Sequence, residues 1–144
     1  MTIKDIISIL EEEDINLEWL NLKNFSGLYV RIDNQDIIII NNKLKTFREI
    51  KLTLIHELGH YFTGTIYSFN MNKSYIDKCE YKAFKWASMF LMPKEEIKKA
   101  IKKGITEVWD LAEYFDVSDD MVIFRLNLPD VQDLRLMLRD ESNI

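Results

Sequence analysis

Both histidines of the chain lie in one five-residue segment, His56-Glu57-Leu58-Gly59-His60. In a helix, side chains four positions apart lie one turn apart on the same face, so two imidazoles can reach a single ion. A glutamate directly after the first histidine lies beside that ion, where it can take a proton from water without being a ligand. This His-Glu-x-x-His spacing is typical of zinc hydrolases, and it predicts His56 and His60 as metal ligands and Glu57 as the general base.

The element that carries this motif is predicted to be a helix from Thr46 to about Phe62, because Thr46 and Glu49 form a capping-box signature. His56 and His60 lie on its polar side, whereas packed core histidines would lie among the apolar residues. A polar face that is merely solvated is the alternative interpretation. The apolar residues of the other side are Phe47, Ile50, Leu54, Ile55, Leu58, Tyr61 and Phe62.

A catalytic zinc needs three protein ligands and one open position, and no further histidine exists to be the third. Glu80 is the best candidate, because it lies on the apolar stripe of a helix predicted from Ser74 to about Leu91, where an unpaired carboxylate is costly. A buried salt bridge to Lys or Arg is the alternative explanation for Glu80. Asp77, Glu49 and Cys79 are weaker ligand candidates. Asp77 lies at a helix start, where helix capping accounts for an acidic residue, and Glu49 is already part of the capping box with Thr46. Cys79 is expected to be a small buried hydrophobic residue.

Two segments of the chain resemble the ImmA/IrrE family of metallopeptidases. The first is Thr53-Leu54-Ile55-His56-Glu57-Leu58-Gly59-His60, and the second runs from Glu80 to Met92-Pro93. The second is similar to the family pattern Glu-x-x-Ala-Asn-x-Phe-Ala-x-x-Leu-Leu-Met-Pro, with Phe84, Trp86 and Phe90 as departures. The resemblance is specific over residues 46–93 and extends to about residue 127.

The resemblance implies a zincin-like fold in which His56, His60 and Glu80 bind Zn²⁺ and Glu57 acts as the base. It also implies an endopeptidase that cleaves a partner protein, commonly a helix-turn-helix repressor of a prophage or mobile element, and so relieves repression. We expect one domain over residues 1–144, with a catalytic core at about 20–103 and a C-terminal helical pair and tail at 104–144. No added DNA-binding or sensory domain is expected.

The remaining elements predict a mostly helical α+β fold with a small antiparallel sheet of about three strands. Periodicity and turn signals place a hairpin at Gly27 to Ile32 and Asp36 to Asn41, and Thr65 to Phe69 is the candidate third strand. The continuous apolar run from Ile37 to Ile40 indicates a strand covered on both faces. The other predicted helices are Thr2 to Glu12, 94–103 ending at Gly104, Thr106 to Phe115, and a helix capped by Ser118.

Composition narrows the classes of function. The chain has 144 residues, a net charge of −5 and one cysteine, which excludes an intramolecular disulfide framework and a cysteine-rich zinc module. No apolar run approaches the length of a membrane span, and we expect a cytoplasmic protein that binds no membrane. The helical pair over 106–127 is net acidic, which disfavours nucleic-acid binding by a helix-turn-helix.

Two questions stay open at the level of sequence. The donor that stabilises the reaction's oxyanion is a Tyr or Arg, with Tyr61, Tyr67 and Tyr75 as candidates. The alternative to a protease is a regulator that inactivates a repressor or toxin by binding it, and a third reading is a scaffold without metal. We expect a substitution of Glu57 to separate cleavage from binding.

Overall fold

The computed structural model describes residues 1–68 and 70–142. The chain divides into two compact units, Met1–Ala87 and the residues from Ser88 onward. The mostly helical α+β class is confirmed; the single-domain organisation stays a prediction. The elements are α1 (Ile3–Glu12), β1 (Ile15–Leu20), β2 (Gly27–Ile32), β3 (Gln35–Asn41), α2 (Phe47–Thr63), α3 (Lys73–Leu91), α4 (Lys94–Lys102), α5 (Val108–Phe115), α6 (Asp119–Leu126), a 3₁₀ turn (Pro129–Val131) and α7 (Gln132–Ser142).

The first unit contains a three-stranded sheet with the order β1-β3-β2. The hairpin partner β2 pairs antiparallel with β3, as predicted, but β1 pairs parallel with β3, so the sheet is mixed rather than purely antiparallel. The central position of β3 explains its continuous apolar run: Ile38 and Ile40 are fully buried on one face, and Ile37 and Ile39 are partly covered on the other.

The predicted third strand at Thr65 to Phe69 is wrong. Residues 65–68 are not in a strand, and Phe69 lies outside the described residues. Side chains of this segment instead form hydrogen bonds with residues of α2 and α3. The third strand is β1, where apolar residues alternate with polar ones through Ile15, Leu17 and Trp19. It follows α1 directly because Asp14 adopts a left-handed conformation, with φ of 55°, that turns the chain.

The predicted caps at Thr46 and Ser118 are confirmed, whereas α5 begins at Val108, two residues after the predicted Thr106. Thr2 and Thr46 each form a complete capping box, with Asp5 and Glu49 as the reciprocal partners. The predicted start of α3 at Ser74 is wrong by one residue, because α3 begins at Lys73. The side chain of Asn72 accepts a hydrogen bond from the backbone N–H of Ser74 at 2.7 Å, so Asn72 is the cap.

The second unit contains α4 to α7, and its helical pair α5 and α6 matches the predicted one. Arg125 is a buried charged residue of this unit, and its side chain is 1% exposed. The guanidinium donates to both carboxylate oxygens of Asp130, at 2.8 and 2.9 Å, and to the carbonyl oxygen of Met92 at 2.8 Å. Arg125 therefore joins the start of α4 to the turn that precedes α7, a helix that sequence analysis did not predict.

Among the residues that the structure describes, no helix is both long and apolar enough to cross a membrane.

Candidate metal centre

Helix α2 presents the His-Glu-x-x-His segment to a covered part of the first unit. Leu54, Ile55 and Leu58 are buried on its apolar face, as predicted. The opposite face is less exposed than its polarity suggests: Glu57 is only 7% exposed and His60 only 4%. The face is therefore not simply a solvated surface, because Glu57 and His60 are enclosed, although the side chain of His56 stays 24% exposed.

A close helix crossing brings α3 to this face. A Cβ at Gly59 would lie 2.5 Å from the carbonyl oxygen of Ala83, so only a residue without a side chain fits there. Ala83 is fully buried and lies one helical turn after Glu80. The contact between Gly59 and Ala83 thus sets Glu80 opposite the two histidines that flank Gly59 on α2.

The three predicted ligands converge. Nε2 of His56 is 2.7 Å from Oε2 of Glu80, and Nε2 of His60 is 3.2 Å from Oε1 of Glu80. One ligand atom from each residue lies within 4.8 Å of the other two. Ligand atoms about 3.3 Å apart are what a tetrahedral zinc with bonds of about 2.0 Å requires, so small side-chain movements would accommodate an ion. The two imidazoles and one carboxylate are also a donor set that catalytic zinc sites use.

Glu57 occupies the position expected of a base. Burial raises the pKa of its carboxyl group, while the nearby His56 and His60 oppose that rise. A backbone hydrogen bond from Tyr29 of β2 also opposes it. Glu57 is therefore enclosed between the ligand pair and the sheet, and it is not one of the three converging ligands.

The carboxylate of Glu80 receives a third contact from Tyr67. Burial would raise the pKa of Glu80, but hydrogen bonds with His56, His60 and Tyr67 outweigh it and keep this pKa well below its ordinary value. The Tyr67 hydroxyl donates to Oε1, and the Tyr67 ring lies 5.7 Å from that of His60. The structure does not have the alternative of a buried salt bridge from Glu80 to Lys or Arg, since the partners that contact this carboxylate are the imidazoles of His56 and His60 and the phenol of Tyr67.

The segment after α2 also reaches His60. Gly64 ends the helix in the left-handed conformation, with φ of 66°, and the chain then turns back so that the N–H of Thr65 donates to the carbonyl oxygen of His60. Nδ1 of His60 lies 2.9 Å from the Thr65 hydroxyl and 3.1 Å from its carbonyl oxygen. Thr63, at the end of α2, and Thr65, just after it, could not be predicted as site residues, because threonines at a helix end carry no signal of a hydrogen bond to a histidine.

The other sequence candidates lie apart from the converging ligands. The carboxylate of Glu49 accepts hydrogen bonds from the backbone N–H groups of Lys45 and Thr46, and Cys79 is buried at 2% exposure. Asp77 is exposed and is not part of the ligand group. Of the three tyrosines, Tyr61 donates to Glu13 and only Tyr67 contacts a predicted ligand. A hydrogen bond with Cys79 raises the pKa of Tyr75, which places that phenol beside the thiol.

An α+β fold whose helix presents two histidines and a buried glutamate to a carboxylate on a crossing helix has the arrangement of a metallopeptidase core. The family model of the IrrE N-terminal-like domain, Peptidase_M78, matches residues 10–127. The match covers most of the 144 residues, and the chain belongs to this family, which confirms the resemblance seen in the sequence. Membership supports a metallopeptidase role. Among curated proteins, none matches the chain significantly.

Proposed function

We propose that the chain is a zinc-dependent endopeptidase with His56, His60 and Glu80 as its metal ligands. The observation that carries this proposal is the convergence of their three ligand atoms beside the buried Glu57. Zinc, when bound, would act as a Lewis acid that polarises the scissile carbonyl and lowers the pKa of water. A bound cation would explain why a carboxylate lies between two histidines, because all three side chains could bind it.

Glu57 is the proton carrier of the proposed reaction. Its carboxylate takes a proton from the attacking water and passes it to the nitrogen of the leaving amine. Because Glu57 is 7% exposed, bulk water competes little for this proton. The backbone of Tyr29 restrains the same carboxylate from the sheet side.

The edge of the sheet offers a binding track for the substrate. Among the strands of the described residues, β2 is at one end of the order β1-β3-β2, so one of its sides carries backbone groups without a partner strand there. This strand is also the one that touches the base: the backbone of Tyr29 bonds Glu57, and Gly27 lies against the Glu57 side chain. An extended peptide added to β2 would bring its scissile bond to Glu57.

The proposed substrate is a partner protein, a helix-turn-helix transcriptional repressor of a prophage or mobile element, whose cleavage relieves repression. This part of the proposal rests on the similarity to the ImmA/IrrE family. Direct binding to nucleic acid is not expected of the chain, since its net charge is −5.

Glu57→Gln provides the decisive test of the enzyme. Gln keeps the size of the side chain but cannot carry the proton, so we expect zinc to stay bound at wild-type stoichiometry while cleavage is lost. The assay is mass spectrometry of new peptide termini after incubation with a defined peptide library, and with a helix-turn-helix repressor purified in parallel. Cleavage by Glu57→Gln at the wild-type rate would refute the mechanism.

Two further results separate the alternatives. Inactivation of the repressor that survives Glu57→Gln, with no new termini, would favour a regulator that acts by binding. Elemental analysis of protein purified without chelator distinguishes a metalloenzyme from a metal-free scaffold. Glu80→Ala is the matched ligand variant, and stoichiometric zinc retained in that variant would remove Glu80 from the ligand set.

A further inference from the structure

A chain of hydrogen bonds runs from the end of α2 to His60. The hydroxyl of Thr63 donates to the carbonyl oxygen of Gly59 at 2.7 Å, and the hydroxyls of Thr63 and Thr65 lie 2.8 Å apart. The Thr65 hydroxyl is in turn 2.9 Å from Nδ1 of His60. Thr65 is 6% exposed, so these groups are largely shielded from water that would otherwise exchange partners with them.

The direction of each hydrogen bond in this chain follows from counting protons. A carbonyl oxygen only accepts, so the single hydroxyl proton of Thr63 points to Gly59. The bond between the two threonines must then use the single hydroxyl proton of Thr65. No proton is left on the Thr65 hydroxyl for His60, and its oxygen can only accept there.

Nδ1 of His60 is therefore the donor. Its proton faces two acceptors of the same residue, the hydroxyl and the carbonyl oxygen of Thr65. In a neutral imidazole with a proton on Nδ1, Nε2 carries a free lone pair. Nε2 is the atom of His60 that faces Glu80, at 3.2 Å, so a metal ion bound there would replace the proton that these two atoms share in the metal-free protein.

We propose that Thr63 and Thr65 are positioning residues that fix the tautomer of His60, so that Nε2 is ready to bind the metal. The inference rests on the proposed metal-dependent function of the same site. Thr65 acts by accepting the Nδ1 proton, and Thr63 acts one step further away by keeping the Thr65 hydroxyl oriented as an acceptor. Partners of this kind commonly change metal affinity by about 10- to 100-fold when they are removed.

The fold makes this arrangement by ending α2 where it does. Gly64 turns the chain in the left-handed conformation, which sets Thr65 back against the last turn of the helix that contains His60 and Thr63. The hydroxyl of Thr63 donates a hydrogen bond to the carbonyl oxygen four residues earlier, as threonine side chains in helices commonly do. The pair is thus placed by backbone geometry that does not depend on a bound ion.

The test uses zinc affinity in Thr63→Val, Thr65→Val and the double variant, measured by competition with a chelator of known affinity. Val keeps the shape of Thr and removes the hydroxyl. Thr63→Val frees the Thr65 proton to donate to Nδ1, which favours the wrong tautomer, so we expect about tenfold weaker zinc binding. Thr65→Val should weaken zinc binding less than Thr63→Val does, because the carbonyl oxygen of residue 65 still accepts the Nδ1 proton.

The double variant distinguishes this mechanism from simple loss of packing. Once the Thr65 hydroxyl is absent, the orientation that Thr63 imposes no longer matters, so the double variant should bind zinc like Thr65→Val alone. Thr63→Ser and Thr65→Ser retain the hydroxyls and should restore wild-type affinity. Additive losses in the double variant, or wild-type affinity in Thr63→Val, would overturn the proposal.

A second readout does not require metal. The chain has only two histidines, so their imidazole nitrogens can be assigned by ¹⁵N NMR of zinc-free protein at neutral pH. We expect a proton on Nδ1 of His60 in the wild type and a smaller population of that proton in Thr63→Val. A wild-type His60 whose Nδ1 carries no proton would contradict the inference. If the wild type binds no zinc but shows the Nδ1–H form, the proposed function fails and the threonine pair still stands.

Discussion

The backbone of Gly59 lies so close to Ala83 that a Cβ on Gly59 would come within 2.5 Å of the Ala83 carbonyl oxygen. The two residues belong to the two helices that carry the candidate ligands. Gly59 directly precedes His60 on α2, and Ala83 follows Glu80 by one turn on α3. This single crossing point therefore fixes how far Glu80 is from both imidazoles.

Gly59→Ala should separate the helices and disturb the metal centre. The added methyl meets main-chain atoms, which cannot rotate away, so we expect a loss of about 1–3 kcal/mol in stability together with weaker zinc binding. Thermal unfolding and zinc stoichiometry check both effects. Adding Ala83→Gly should not rescue the variant, because the contact is with the carbonyl group of residue 83 and not with its methyl. A full rescue would show that the crossing is limited by side chains.

Tyr67→Phe should weaken metal binding without removing a ligand. The Tyr67 hydroxyl donates to Oε1 of Glu80, so its loss leaves that carboxylate free to rotate away from the histidines. We expect roughly a tenfold loss of zinc affinity, measured by chelator competition. Tyr75→Phe is the matched control, since its phenol lies beside Cys79, and it should bind zinc like the wild type. A loss of cleavage with unchanged zinc affinity would instead make Tyr67 a donor to the reacting carbonyl.

The three candidate ligands could be predicted from the sequence because their signals are local. The spacing of His56 and His60 places them on one helix face, and Glu80 is conspicuous as an acid on an apolar stripe. The structure brings these three ligand atoms together. The capping box at Thr46 was equally readable, because it depends on two residues three positions apart.

The missed features depend on contacts between distant segments. The third strand is β1 because it pairs parallel with β3. No turn in the sequence between two parallel strands marks this pairing, so it could not be predicted. Thr65 lies beside His60 only because Gly64 reverses the chain, and the enclosure of Glu57 arises from a strand that precedes it by almost thirty residues. Tyr67 could be proposed from sequence but not chosen over Tyr61 and Tyr75 for the same reason.

Zinc should stabilise the folded chain through its ligands. An ion that binds the native state alone raises the free energy of unfolding by about 2.7 kcal/mol when its free concentration is a hundred times the dissociation constant. We expect zinc to raise the thermal midpoint of the wild type and of Glu57→Gln. Glu80→Ala and His60→Ala should lose that increase, and chelator should return the wild type to its metal-free midpoint. An equal increase in all four proteins would indicate zinc binding elsewhere.

Asp130→Asn should destabilise the second unit, because it removes the negative charge paired with the buried Arg125. Arg125 is 1% exposed, so its guanidinium cannot turn to water when it loses that partner. Asp130 itself is 37% exposed at the side chain, and the screening that this allows limits the expected loss to about 2 kcal/mol at neutral pH. Chemical denaturation of the wild type and the variant measures the difference. Asp133→Asn, at the exposed pair with Lys94, is the control and should change little.

Lowering the pH provides an independent check on the contribution of the Arg125–Asp130 pair to stability. Hydrogen bonds from Arg125 keep the pKa of Asp130 below its ordinary value, so the folded state binds this proton less readily than the unfolded state does. The stabilisation is therefore complete above the unfolded value of about 3.9 and is lost as the pH falls through the folded value. The gap in stability between the wild type and Asp130→Asn should close over that acidic range. A gap that persists after the wild-type carboxyl is protonated would mean that packing, and not charge, is responsible for the effect of Asp130.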